Sequence, residues 1–314
     1  MADRSAADAL ALTATGALST SIVRPMRRRK PPNRKWLFLL PALIVSLCVV
    51  LIPVVVTTLL AFTDWNGFSM PHWVGLANFV TILGEARFWA AFRNNCVYTF
   101  LFATLPMICS LFAALLLMTI RKGRTFFQVV YFLPVTIATV ILAQIWRSMI
   151  YSPTSGVVGW LQSVGIPVDN PLVNPDTSLL GVLFVDMWSW WGYLTVIYFA
   201  ALRQVDRSLI EAALVDGASR WQTFWHVLRP SILPTIMFML LMSIIWSFKV
   251  FDWIYVLTEG GPGFSSEVLA TLGYKTAFQS FEVGRASAYS LSMSLLGMAA
   301  IVVYLRLQAR REKV

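Results

Sequence analysis

Six stretches of the sequence, 36–62, 96–120, 126–146, 179–202, 232–257 and 286–305, are almost free of charge. Each matches the roughly 20 residues a helix needs to cross the ~30 Å hydrocarbon core of a bilayer. A backbone in hydrocarbon finds no water to bond, so each stretch must satisfy its own N–H and C=O groups as a helix. The sequence therefore predicts an all-α polytopic membrane protein with six transmembrane helices. Composition agrees: 58% of residues are apolar and 13% charged, against about 25% charged in soluble domains.

The charge between the runs alternates. Arg121, Lys122 and Arg124 follow the second run; Arg203, Arg207, Arg220 and Arg229 follow the fourth; Arg306, Arg310, Arg311 and Lys313 follow the last. Of Lys and Arg, the intervening loops hold only Arg87, Arg93, Arg147, Lys275 and Arg285. The positive-inside rule then places both termini in the cytoplasm. The net charge of +10 is accounted for by topology and contact with membrane lipid, and no nucleic acid partner is needed. Residues 1–35, Ala/Ser/Thr-rich and then basic, read as a disordered cytoplasmic tail. The run behind them is longer than a signal h-region and lacks a convincing small-residue cleavage site, so it reads as a span. A transmembrane domain is expected over 36–306, with a short cytoplasmic tail at 307–314. Cys48, Cys96 and Cys109 lie in apolar runs, and His72 and His226 are isolated. No catalytic residue, metal site or phosphate-binding loop is indicated.

The most polar patch in the second half of the chain lies at 206–231, between the fourth and fifth runs. Ser208-x-x-Glu211 and Ser219-x-x-Gln222 have the spacing of capping boxes. Gly217 permits a turn with positive φ. Trp221, Phe224, Trp225 and Leu228 recur at amphipathic helical spacing. Pro230 is expected to end that helix. Two short helices meeting at an elbow are the result.

This stretch resembles the EAA loop of the membrane subunits of bacterial ABC importers. Glu211-Ala212-Ala213, Gly217, Val227 and Pro230 match the pattern at its spacing, and Asp216, Phe224 and Pro234 match the fuller form seen in sugar importers. Arg229 stands where the family usually has Leu. The resemblance implies the type I ABC importer permease fold in the bacterial cytoplasmic membrane. It also implies an elbow (Glu211, Ala212, Ala213, Asp216, Gly217, Ala218, Phe224, Pro230) that docks into a cytoplasmic ATPase subunit. The expected partners are two copies of that ATPase, which bind ATP and Mg, a second homologous permease subunit and an extracytoplasmic solute-binding protein. The chain itself binds no cofactor and is no enzyme.

The loops opposite the elbow carry the resemblance further. Phe62-Thr63-Asp64-Trp65-Asn66-Gly67, Val74-Gly75-Leu76-x-Asn78-Phe79 and Thr258-Glu259-Gly260-Gly261-Pro262 are similar to segments of carbohydrate-importer subunits. The expected cargo is a sugar; the alternative is glycerol-3-phosphate, a glycerophosphodiester or a polyol. Asp186, Lys249 and Asp252 are ionisable residues inside apolar runs, costly unless paired or facing a cavity. Lys249 and Asp252, at i and i+3, have the spacing to pair on one helix face, and Asp186 is the other candidate for Lys249. Structural pairing and a substrate role both stay open. Trp188, Trp190, Trp191 and Tyr193 supply flat apolar faces of the kind that suit the C–H faces of a sugar. Similarity to maltose-type permeases places the substrate cavity at Trp190, Trp191, Tyr193, Ser247, Lys249, Phe251 and Asp252. An intramembrane enzyme would require a catalytic pair within the spans, and none is seen. A secondary transporter would show inverted repeats and no elbow.

Overall fold

The computed structural model describes residues 39–120 and 122–311; the tail expected over 1–35 lies outside them. The chain separates into two compact units at Ile52 and Pro53. The described part of the first unit is helical throughout and opens helix α1 (Leu40–Leu60), none of whose residues is buried.

The remaining helices all belong to the second unit. They are α2 (Ala77–Gly84), α3 (Ala86–Thr119), α4 (Arg124–Phe132), α5 (Thr139–Ile145), α6 (Val157–Ser163), α7 (Ser178–Arg203), α8 (Arg207–Val215), α9 (Arg220–Phe248), α10 (Asp252–Leu257), α11 (Leu269–Phe278) and α12 (Val283–Arg311). Among the described residues the one isolated β-bridge joins Thr63 and Trp73. Among the described residues five helices are long and apolar enough to span a membrane: α1, α3, α7, α9 and α12.

Two of the expected spans are not straight. The run at 126–146 divides into α4 and α5, which meet at 99°. Pro134 sits in a tight turn, Leu133–Thr136, and Ile137 and Ala138 then take extended backbone. A proline supplies no N–H to the ladder, and this break follows it directly. The run at 232–257 likewise breaks at Lys249–Phe251, between α9 and α10.

Elsewhere proline does not stop a helix. α9 passes through Pro230 because the preceding turn, Phe224–Leu228, is widened, with the Arg229 N–H reaching the Phe224 carbonyl. The wide turn gives room to the carbonyl that the proline ring would otherwise strike. The same turn precedes Pro53 in α1, at Leu47–Leu51. The expectation that Pro230 ends the elbow's second helix is thereby corrected: that helix runs on into the fifth span.

The core is centred on α3 packed against α7, with α4 and α9 beside them. Lipid tails are as apolar as leucine, so close packing rather than escape from water must favour this contact. Small residues allow it: Ala103, Ser110, Ala113 and Ala114 on α3, and Gly181, Ser189 and Gly192 on α7, are buried. Gly192 is required, since a Cβ there would strike the Tyr131 carbonyl of α4. At the elbow end, the Arg124 Nε–H reaches the Leu117 and Ile120 carbonyls, each at 3.1 Å, and so satisfies the C-terminus of α3.

The opposite end is held by polar latches around a second apolar cluster that includes Ile82, Phe88, Leu272 and Tyr289. Asn78 Nδ2 donates to the Ala61 and Thr63 carbonyls at 2.9 and 2.7 Å. Glu267, 1% exposed, accepts from Arg87 at 2.6 Å and from Lys275 at 3.0 Å. Asn94 Nδ2 donates to the Ser265 and Glu267 carbonyls, both at 2.9 Å. Arg285 pairs with Glu85 and Glu282, and the Tyr289 hydroxyl also donates to Glu85. The chain turns after α10 at Gly260, which has φ of +83°.

Candidate functional site

The elbow is built from α8, the turn at Gly217 and the start of α9. Its first cap is not Ser208. Asp206, in extended backbone, accepts from the Ser208 N–H at 3.0 Å and starts α8 at Arg207. Ser208 already lies inside the first turn, where its own N–H is one of the groups needing a partner, so the expected box with Glu211 does not form. That hydrogen bond from Ser208 holds the Asp206 carboxyl below its ordinary range. A depressed folded pKa means that the cap stabilises α8 above the unfolded pKa and is lost as pH falls through the folded one.

The second box is present: Ser219 Oγ accepts from the Gln222 N–H at 3.3 Å, and Gln222 Oε1 accepts from the Ser219 N–H at 2.8 Å. Between the two helices Gly217 has φ of +77°, and the Ala218 N–H closes α8 on the Ala213 carbonyl at 2.9 Å. Glu211, Ala212, Asp216, Gly217 and Pro230 are exposed, while Ala213, Ala218 and Phe224 are half-buried. Val215 is 86% exposed. The elbow thus offers a shaped, mostly uncovered surface of small, acidic and apolar groups.

The seven membrane-cavity candidates fall into separate groups. Trp190 is buried in an aromatic stack, with centroids 4.8 Å from Tyr193, 4.3 Å from Trp246 and 6.2 Å from Phe102. Tyr193 is half-buried and reaches Phe132 of α4 at 6.3 Å. Ser247 is buried and bonds the Ile244 carbonyl of its own helix at 2.9 Å. Trp191 turns the other way, against Tyr131 at 5.0 Å, and lines a cavity of about 260 Å³ with Pro106, Cys109 and Trp188. Phe251 stacks on Tyr255 at 5.2 Å and meets Tyr274 at 5.2 Å.

Lys249 and Asp252 are both exposed at the break between α9 and α10. They do not share a helix face, because the helix ends between them. Lys249 lines a cavity of about 310 Å³ against Met293 and Gly297 of α12. It makes no ion pair among the described residues. Asp186 is not its partner either: that carboxylate accepts from the Tyr98 hydroxyl at 2.6 Å. Neither candidate pairing for Lys249 is present.

Sequence reasoning missed Tyr255 and Tyr274, which complete the aromatic surface at Phe251, and it missed Glu267. A single acidic residue in an apolar stretch, with Lys275 eight residues on, was the available signal for Glu267.

Comparison with known proteins agrees with this geometry. Residues 108–313 match the family described as binding-protein-dependent transport system inner membrane component. The chain is 34% identical, over 86% of its length and 92% of the relative's, to the probable starch degradation products transport system permease protein AmyD of Thermoanaerobacterium thermosulfurigenes. It is 30% identical, over 86% and 92%, to the trehalose/maltose transport system permease protein MalF of Thermococcus litoralis. Among solved structures it is similar to a chain of a bacterial ABC transporter involved in import of the acidic polysaccharide alginate. That likeness has a TM-score of 0.78 at 26% identity and covers 88% of this chain and 96% of the other.

Proposed function

The chain belongs to the inner membrane components of binding-protein-dependent transport systems, a multi-pass protein of the cytoplasmic membrane, and from that premise we propose that it is the permease subunit of an ATP-driven sugar importer. The observation that carries the sugar reading is the break at Lys249–Phe251. Broken backbone at membrane depth is stable only where protein covers it or it lines a wet cavity. Lys249 and Asp252 are exposed at this break, Phe251 stacks there with Tyr255 and Tyr274, and one turn earlier the exposed Trp246 ring packs on buried Trp190, which in turn meets Tyr193. Rings beside polar groups suit a carbohydrate. Relatives named for starch products, trehalose and maltose support the same class. A second permease subunit would close the cavity that this chain half-lines, and a solute-binding protein would deliver the sugar from the side opposite the elbow.

In this reading Glu211, Ala212, Ala213, Asp216, Gly217, Ala218, Phe224 and Pro230 meet one of two cytoplasmic ATPase subunits. Those subunits hold ATP and Mg and perform the hydrolysis. Their closure moves the elbow, and the helices swing as a two-state body that opens the cavity to one side at a time. Both termini lie with the elbow in the cytoplasm. In a background with Cys48, Cys96 and Cys109 replaced, Met70→Cys and Ser280→Cys should react with an impermeant thiol reagent from outside intact cells, and Lys122→Cys should not. All three positions are exposed. Labelling of Lys122→Cys in intact cells would reverse the orientation.

The cargo is tested at two side chains. Tyr193→Ala removes a stacking face and a hydroxyl, a loss of ~1–3 kcal/mol if both meet the sugar. Uptake should show a KM raised about five-fold or more at normal expression. Lys249→Met breaks no ion pair, so expression should hold, and uptake of a neutral oligosaccharide should persist. Loss of uptake in Lys249→Met with wild-type Tyr193 dependence absent would assign an anionic cargo instead.

A further inference from the structure

The start of α9 carries a patch with no part in the assignments above. Trp221, Trp225 and Arg229 recur every four residues on one side of the helix. Trp221 is 67% exposed and Trp225 39%, and their rings meet nearly edge-on with centroids 5.4 Å apart. The Arg229 guanidinium lies over the Trp225 ring, 4.8 Å from its centroid. Neither Arg229 nor Arg220 has a carboxylate partner among the described residues.

The depth of the patch follows from the sequence. Every residue from Pro230 to Phe248 is uncharged, so Arg229 is the last charge before hydrocarbon. Half the difference between a ~30 Å core and a ~40–45 Å bilayer leaves a headgroup layer of ~5–7 Å. Four helical residues rise ~6 Å. With Arg229 at the hydrocarbon boundary, Trp225, ~6 Å out, lies at the outer part of the headgroup layer, and Trp221, ~12 Å out, stands beyond it in water. Indole rings favour the headgroup level. A guanidinium stacked on a ring keeps its edge N–H groups free, in the fork that fits a phosphate.

We propose that Trp225 and Arg229 form an anchoring site for an anionic phospholipid headgroup in the leaflet on the elbow's side, with the phosphate on Arg229, the Trp225 indole against the headgroup on its water side, and Trp221 bracing Trp225 from the water. The site holds the start of α9 at the membrane surface and leaves the Val215 side of α8 free in water. It gives the elbow a fixed end to turn about. The assignment rests on α9 being a membrane span and not on the coupling role of the elbow, so either stands if the other fails.

Depth and charge are tested separately on the full chain reconstituted in nanodiscs of phosphatidylcholine with phosphatidylglycerol. For depth, bimane is placed on Trp225→Cys in a background with the three native cysteines replaced. Brominated lipid should quench it strongly and aqueous iodide weakly. Strong iodide quenching with little effect of bromolipid would overturn the site and give the face to a protein partner. For charge, retained phosphatidylglycerol is measured by native mass spectrometry. Arg229→Gln should weaken retention about five-fold, as expected for one cation at the surface, while Lys249→Gln should not. Equal retention in wild type and Arg229→Gln would also overturn it.

Discussion

Gly217→Pro should leave the protein inserted and assembled while uptake falls to background. The backbone at Gly217 has φ of +77°, and its N–H donates to the Leu214 carbonyl at 3.1 Å. Proline holds φ near −65° and has no N–H, so it denies both the turn and the hydrogen bond, a cost of ~3 kcal/mol or more if the native turn were kept. The chain escapes that cost by re-aiming α8. Nothing else blocks such a change: a Cβ at this position meets no atom within 4 Å. The elbow is exposed and the buried contact of α3 with α7 lies elsewhere, so folding and insertion are spared. The readouts are membrane yield, complex formation and ATP-dependent uptake. Gly217→Ala, which keeps the N–H but disfavours the positive φ, should give an intermediate loss. Full uptake in Gly217→Pro would separate the elbow from coupling.

Glu267→Gln should cost the assembly ~3–5 kcal/mol of stability, the range for breaking a buried charge pair from one side. Glu267 is almost fully buried, and its carboxylate bridges α3, through Arg87, to α11, through Lys275. Neutralising it leaves two cations facing one amide. Lys275 is 16% exposed at the side chain and cannot be rehydrated without disturbing the loop, whereas Arg87 is 38% exposed. Lys275 also donates to the Glu259 carbonyl at 2.6 Å, which fastens the turn at Gly260. Arg87→Met should cost less, because its head already reaches water. The order Glu267, then Lys275, then Arg87 in lowered melting temperature of the solubilised protein is the expected result. An unchanged melting temperature in Glu267→Gln would mean that the latch contributes nothing to the fold.

The spans were legible because a bilayer imposes length and apolarity on each helix, and α3, α7 and α12 lie where the runs do. The bends were less legible. Pro134 and Pro230 are the same residue type in similar apolar settings, yet one accompanies a 99° bend and the other is carried through by a wide turn. Periodicity does not register an extra residue in a turn. The break at Lys249 carried no glycine or proline to announce it, and polarity alone marked the place. At the elbow, Gly217 and the Ser219–Gln222 box were readable because each requirement is local. Asp206 was missed as the cap because Ser208 had the better spacing to Glu211, although Asp206 also precedes an apolar pattern. The cavity was the least legible part. Trp190 and Tyr193 come together with Trp246 of a distant segment, and a one-dimensional pattern holds no record of that meeting. Helical spacing allowed Lys249 to pair with Asp252, and the end of α9 between them removes that option.

Under the proposed function, this chain should move a sugar only when an ATPase drives it. The direct measurement is uptake of a labelled maltooligosaccharide into proteoliposomes that hold the chain purified with its second permease, ATPase subunits and binding protein from the native membrane. The account predicts uptake that requires ATP on the elbow's side and the binding protein on the other, and that vanishes when the ATPase is omitted. Uptake by this chain without an ATPase, or uptake indifferent to ATP, would contradict it.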